Sequence, residues 1–93
     1  MASGLWPVAY RVLYQRAVLI YNPAAGRNQA RRGRIIERAL RALERHVGTV
    51  EARATDRPHS ATRMAREACR EGADLILVCG GDGTINEVVN GLA

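Results

Sequence analysis

The sequence has no lysine and no phenylalanine, and its aromatic content is only 4%, made of one Trp and three Tyr. All 14 basic residues among the 93 are therefore arginine. The missing lysine removes two nucleotide-site chemistries, because a Walker P-loop needs a phosphate-reaching lysine and a protein-kinase lobe needs a strand lysine. Any phosphate handling must then use backbone amides, arginine or a metal. The aromatic residues all lie between Trp6 and Tyr21, away from the arginine-rich stretch. That separation argues against a nucleic-acid surface, which needs stacking platforms among its cations. Cys69 and Cys79 form no CxxC, and neither pairs with His46 or His59 at a metal-site interval, so they read as small buried thiols and no metal ligand is assigned. No apolar run approaches the roughly 18 residues of a membrane-spanning helix. The start, MASGLWPVAYRVLYQ, lacks a basic n-region followed by an unbroken apolar stretch, so a reducing, cytoplasmic compartment is expected.

What is present bounds the chain further. Ninety-three residues amount to one small domain or part of a larger one. Hydrophobic residues make up 47%, but many are alanine, so the apolar volume is modest. The net charge of +5 is local: residues 27–45 hold seven arginines against two glutamates, and the remainder carries seven of each sign.

Periodicity supplies the element order. Ala17-Val-Leu-Ile-Tyr21 is a short apolar run stopped by Asn22-Pro23, which predicts a buried strand. From about Asn28 to Val47, Ile35, Ile36, Ala39, Leu40, Leu43 and Val47 recur at intervals of three and four, predicting one core face of a helix that Gly48 ends. Val50, Ala52 and Ala54 alternate with Glu51 and Arg53, the pattern of a strand near a sheet edge. Ser60 then reads as the N-cap of a helix with an inner stripe of Ala61, Met64, Ala65, Ala68 and Cys69, closed by Gly72. Leu75-Ile-Leu-Val-Cys79 is the unbroken run of a parallel strand covered on both faces. Thr84 and Glu87 have the spacing of a capping box opening a last helix. The βαβαβα order predicts an α/β fold, a three-layer half of a doubly wound parallel sheet with strand order 2-1-3.

In such a sheet, ligands bind beyond the carboxyl ends of the strands, where loop amides and helix amino-termini converge. All three unusual loops belong to that edge: Asn22-Pro-Ala-Ala-Gly26, Thr55-Asp56 and Gly80-Gly-Asp-Gly-Thr84. The last suits phosphate, since glycines let amides approach an anion and the helix dipole favours negative charge there. Asp82 conflicts with a bare phosphate unless a magnesium ion or a transferable proton lies between them. Taken singly, each feature also has a plain structural reading: Glu87 as a cap, Asn22-Pro23 as a strand stop, Gly26 as a turn. A dinucleotide fingerprint is imperfect, because Asn86 stands where its third glycine belongs and the motif follows the third strand.

Together, Val18-Leu-Ile-Tyr-Asn-Pro-Ala-Ala-Gly26, Ala54-Thr55 and Gly80-Gly-Asp-Gly-Thr-Ile-Asn-Glu-Val-Val-Asn-Gly91 resemble the catalytic domain of diacylglycerol kinases and their sphingosine and bacterial lipid kinase relatives. The similarity covers residues 17–93. The five-residue core of the last motif is shared with NAD kinases, so NAD kinase-like chemistry is the enzyme alternative, and a non-catalytic nucleotide-binding fragment is the other. The resemblance implies an NAD kinase/diacylglycerol kinase-like fold and magnesium-assisted transfer of the γ-phosphoryl group of ATP to a lipid hydroxyl. It implies ATP contacts from Asn22, Gly26, Thr55, Gly80, Gly81, Asp82, Gly83, Thr84, Ile85 and Asn86, with Asp82 contributing to catalysis. The later Gly-Thr-x-Asn segment and the β-rich second domain of the family have no counterpart, so residues 17–93 are expected to be an amino-terminal portion, inactive by itself. The lipid acceptor would be met at a membrane surface, with peripheral attachment to the inner face; a homodimer stays open.

Two features lie outside that resemblance. Arg34, Arg38, Arg41 and Arg45 form one stripe of the first helix, opposite its apolar face, suited either to solvent or to anionic headgroups. Trp6, Tyr10 and Tyr14 recur every fourth residue of a leader spanning 1–16, consistent with a short helix.

Overall fold

A computed structural model describes residues 13–24 and 29–93; the Trp6 and Tyr10 part of the leader and Gly26 lie outside them. The elements are β1 (Tyr14–Tyr21), α1 (Gln29–Leu43), β2 (Val47–Ala54), α2 (Ser60–Arg70), β3 (Leu75–Cys79) and α3 (Asp82–Leu92). They build a three-stranded sheet of order β2-β1-β3, with β1 parallel to both neighbours. The α/β class and the strand order follow the sequence reading. β1 begins earlier than expected, because Tyr14 pairs with Val47 and Arg16 with Thr49. Tyr14 is therefore a strand residue and belongs to no leader helix.

Side-chain alternation along β1 separates two layers. Val18 and Ile20, both fully buried, pack with Ala61, Ala65 and Ala68 of α2 and Val88 of α3, and Ile76 and Val78 of β3 border this cluster. Full burial of side chains this size stabilises by roughly 1.5–3 kcal/mol each. On the opposite face, Arg32 of α1 reaches Cys79, so α1 forms the third layer.

The boundaries differ from the periodicity at four places. Val47 leaves the helix and opens β2, where it is 4% exposed; α1 already ends at Leu43, and the amide of His46 donates to the Leu43 carbonyl at 2.8 Å. Gly48 accordingly sits in a strand, where a Cβ would lie 2.6 Å from the Gln15 carbonyl oxygen. Ile35 is 49% exposed, so the core face of α1 is narrower than its apolar count suggests and centres on Ile36. Ser60 is the first helical residue, not the cap: His59 precedes the helix at φ 68°, and the Ser60 hydroxyl accepts from the Asp56 amide and donates to the Arg57 carbonyl. Cys69 points to solvent and Cys79 is half-buried, so neither is a core thiol. β3 is covered only in part, since its outer edge has no neighbouring strand among the described residues.

α2 ends as Gly72 predicts. Gly72 takes φ 94°, its amide donates to the Cys69 carbonyl, and the Ala73 amide donates to that of Ala68, the paired bonds of a Schellman end. Asp74 then ties β3 to β1: its carboxylate accepts the amides of Gln15 at 2.9 Å and Arg16 at 3.0 Å. Those two bonds hold the Asp74 carboxyl below its ordinary value of 3.8, that of Gln15 contributing most. Arg53 bridges Glu51 and Glu71, and its hydrogen bond lowers the Glu51 carboxyl likewise.

α2 and α3 approach closely. The Thr62 hydroxyl donates to the Glu87 carbonyl at 2.8 Å, and a Cβ on Gly91 would stand 2.4 Å from the Thr62 carbonyl oxygen. Alanine gains about 1 kcal/mol of helix propensity over glycine, whereas overpacking costs about 1–3 kcal/mol, and here the obstacle is backbone. Gly91→Ala should therefore lower the denaturation midpoint. Gly33→Ala, where a Cβ meets nothing within 4 Å, should raise it; a stabilising Gly91→Ala would contradict the packing. The depressed Asp74 carboxyl gives stability that is complete above the unfolded carboxylate range and is lost as pH falls through about 4 and below. Asp74→Asn should thus be less stable than wild type at pH 7, with a smaller gap at pH 3. An equal gap in thermal melts at both pH values would remove Asp74 from the account.

Candidate functional site

The three strands end level with one another. Tyr21 pairs with Ala54 on one side and Cys79 on the other. The ladder continues one step into the loops, where the Asn22 amide donates to the Cys79 carbonyl at 3.1 Å and the Thr55 amide to the Tyr21 carbonyl at 2.8 Å. Asn22, Thr55 and Gly80 are consequently held side by side by backbone bonds alone. The Asn22 side chain turns its own loop, its Oδ1 accepting the Ala24 amide at 2.9 Å.

A cleft of about 330 Å³ opens beyond this edge, lined by Asn22, Ala24, Thr55, Asp56, Arg57, Pro58, Thr84 and Glu87. Three of the expected site residues, Asn22, Thr55 and Thr84, share that wall. Ile85 and Asn86 lie on the exposed side of α3, and neither they nor Gly80, Gly81, Asp82 and Gly83 line the cleft. Asp56 belongs to the Thr55-Asp56 loop expected on this edge, whereas Arg57 and Pro58, which continue that loop, were not singled out from the sequence. Asp56 is held at the rim by exposed ion pairs to Arg57 at 3.9 Å and Arg63 at 3.8 Å, contacts of a kind worth at most about 1 kcal/mol.

The glycine-rich turn starts α3 three residues earlier than the capping-box reading, with Gly81 instead of Thr84 at the N-cap. Asp82 is the first helical residue, Gly81 precedes it in an extended conformation, and no side chain caps the end. The expected Thr84–Glu87 box does not form: Thr84 is 8% exposed and packed over Gly80, and Glu87 turns toward the cleft. The first intrahelical bond runs from the Ile85 amide to the Gly81 carbonyl. The amides of Asp82, Gly83 and Thr84 therefore have no helical acceptor, and the dipole adds partial positive charge at the same point. A Cβ at Gly81 or Gly83 would meet nothing within 4 Å, so the approach to these amides is open. Asp82 is exposed beside them.

Arg32 does not line the cleft but lies beside the residue that precedes the glycine turn, a placement that sequence reasoning missed. Its Nη1 donates to Cys79 Sγ at 3.4 Å, and its Nε is buried with no acceptor among the described residues. Helical periodicity had marked Arg32 only as one of many arginines; the proximity of α1 to the last residue of β3 is a tertiary fact. A cation with an unsatisfied donor next to Gly80 is chemically suited to a phosphate oxygen.

The family model of the diacylglycerol kinase catalytic domain matches residues 16–93. The chain belongs to the diacylglycerol kinase catalytic domain family. It is 43% identical over 79 residues to a diacylglycerol kinase of Staphylococcus aureus (strain bovine RF122 / ET3-1), covering 85% of this chain and 24% of that one. The identity to the Bacillus subtilis (strain 168) diacylglycerol kinase is also 43% over 79 residues, covering 85% of this chain and 25% of the relative. A solved Bacillus anthracis str. Sterne chain superimposes with a TM-score of 0.72 at 31% identity, over 85% of this chain and 28% of that chain. A second, the crystal structure of a diacylglycerol kinase from the same organism, gives 0.66 at 28% identity, over 85% and 28%. The chain thus spans about a quarter of the length of these diacylglycerol kinase relatives.

Within this family segment, Gly80 is a packing requirement. A Cβ there would lie 2.9 Å from both Cβ and Oγ1 of Thr84, forcing Thr84 and the first turn of α3 outward. Gly80→Ala should lose about 1–3 kcal/mol of stability by overpacking, and the Thr84 amide resonance should shift. Gly81→Ala, which meets open space, should leave stability within about 0.5 kcal/mol. Equal effects of the two substitutions would reject this assignment.

Proposed function

We propose that residues 17–93 are the nucleotide-binding portion of a lipid kinase that transfers the γ-phosphoryl group of ATP to a lipid hydroxyl such as that of diacylglycerol. The observation carrying this reading is the meeting, at one strand edge, of Asn22, Thr55 and a helix start whose first three amides have no acceptor among the described residues. The names of the relatives point to the acceptor class.

The residues fit the polyphosphate. The Asp82, Gly83 and Thr84 amides would bind phosphate oxygens, and the Arg32 guanidinium beside Cys79 would add positive charge close by. Asn22 and Thr55 would border the remainder of the nucleotide in the cleft. Magnesium held mainly by phosphates needs only one or two protein carboxylates. Asp82 would supply that carboxylate. Bound ATP and magnesium would bring the transferable phosphoryl group and neutralise its charge. The chain's contribution is orientation by fixed amides, with Asp82 placed to hold the cation or to take the proton of an attacking hydroxyl. The acceptor pocket would belong to the β-rich part that this family carries beyond the length spanned here. No helix of the described residues is long and apolar enough to cross a membrane, and acceptor delivery from a bilayer surface follows from the substrate class.

Titration of the folded chain with magnesium and ATP, followed by amide resonances, checks the proposal. The Asp82, Gly83 and Thr84 signals should move with ATP and stay still with adenosine. Arg32→Gln should weaken ATP at least tenfold, about 1.4 kcal/mol, without shifting the melting temperature downward. Unmoved amides at saturating magnesium-ATP would overturn it.

A further inference from the structure

Two walls of the cleft are tied to a turn of helix that does not line it. The first wall is the loop 55–58, in which Asp56, Arg57 and Pro58 are all exposed, so burial does not hold it in place. The Ser60 hydroxyl does: it accepts the Asp56 amide at 3.2 Å and donates to the Arg57 carbonyl at 2.8 Å. Ser60 is only 2% exposed, which fixes that hydroxyl against the loop. Between them His59 takes φ 68°, a conformation disfavoured for a residue with a side chain, so the loop keeps this course only while other contacts hold it. α3 supplies a second wall through Thr84 and Glu87. There the Thr62 hydroxyl donates to the Glu87 carbonyl at 2.8 Å. The ion pairs of Asp56, at 3.9 Å and 3.8 Å, are too long and too exposed to replace these bonds.

We propose that the Ser60 and Thr62 hydroxyls are positioning groups that set the spacing between the loop 55–58 and α3, and through it the preference of the site for a nucleotide over a bare polyphosphate. The inference rests on the nucleotide reading above and deepens it by naming what makes the cleft fit a nucleoside. Neither residue lines the cleft, so both act through Asp56, Arg57 and Glu87. The phosphates would meet the first amides of α3, whereas the nucleoside would lie between the two walls. Without the Ser60 hydroxyl, the Asp56 amide loses its acceptor, although the Ser60 amide still reaches the Arg57 carbonyl. Without the Thr62 hydroxyl, the Glu87 turn loses the hydrogen bond that ties it to α2. A nucleoside must then order the freed wall as it binds, and that cost is subtracted from its affinity. A polyphosphate seated on the amides does not meet it.

The test compares magnesium-ATP with magnesium-tripolyphosphate, titrated calorimetrically into the 93-residue chain well below its melting temperature. Ser60→Ala and Thr62→Val should each weaken ATP roughly threefold to tenfold, the loss expected for one hydrogen bond, and leave tripolyphosphate unchanged. Thr62→Ser keeps the hydroxyl and should bind both ligands as wild type does. Ala68→Gly removes a buried methyl group from the same helix and should lower the melting temperature without altering the ratio of the two affinities. Loss of stability alone therefore does not reproduce the selective effect. Wild-type ATP affinity in either Ser60→Ala or Thr62→Val, equal losses of ATP and tripolyphosphate, a Thr62→Ser as weak as Thr62→Val, or a changed ratio in Ala68→Gly would each overturn the inference and leave the nucleotide reading standing. Failure of the wild-type chain to bind ATP would overturn that reading, and this inference with it.

Discussion

The parallel register of β1 with both neighbours is the constraint on which the rest depends. β1 is the one strand bonded on both edges, and Ala17, Val18, Leu19 and Ile20 are buried on both of its faces. Because Tyr21 stands opposite both Ala54 and Cys79, every loop that leaves the sheet at this end starts from the same level. Shifting either pairing by one residue would turn Val18 and Ile20 out of the α2 and α3 layer and would also separate Asn22 from Gly80. Core packing and site assembly are thus one condition.

Small residues carry the same coupling into the helices. Alanines at positions 61, 65 and 68 let α2 lie against the sheet, and Gly91 lets α3 lie against α2 so closely that the Thr62 hydroxyl reaches the Glu87 carbonyl. Gly80 does the equivalent for Thr84. The orientation of α3, and hence the direction of its first amides, is set by contacts that leave no room for a methyl group. The proposed phosphate binding by backbone would draw on that rigidity, since an amide that must be reoriented on binding loses part of its advantage.

Several assignments were legible in the residues and several were not. The three strands, their order and the phosphate-type turn followed from apolar runs and glycine placement, signals that depend on nearest neighbours along the chain. Ile35 and Val47 were misplaced because periodicity counts apolar side chains without knowing how wide a face the sheet will cover. Ser60, Thr84 and Glu87 have the composition of helix caps, but the chain had other uses for them: a loop closure, a packing contact and a cleft wall. Gly26 lies outside the described residues, so its expected part in the site stays with the resemblance alone.

The sequence by itself determined the element order, the family and the chemistry available at the carboxyl edge, because strand runs, turn glycines and the lack of lysine are local or compositional facts. Only the tertiary structure decided that Arg32 sits against Cys79 and that Arg57 and Pro58 join the cleft beside Thr55 and Asp56. Both depend on residues far apart in the chain, and the distance between such residues is fixed by packing, which no local pattern encodes.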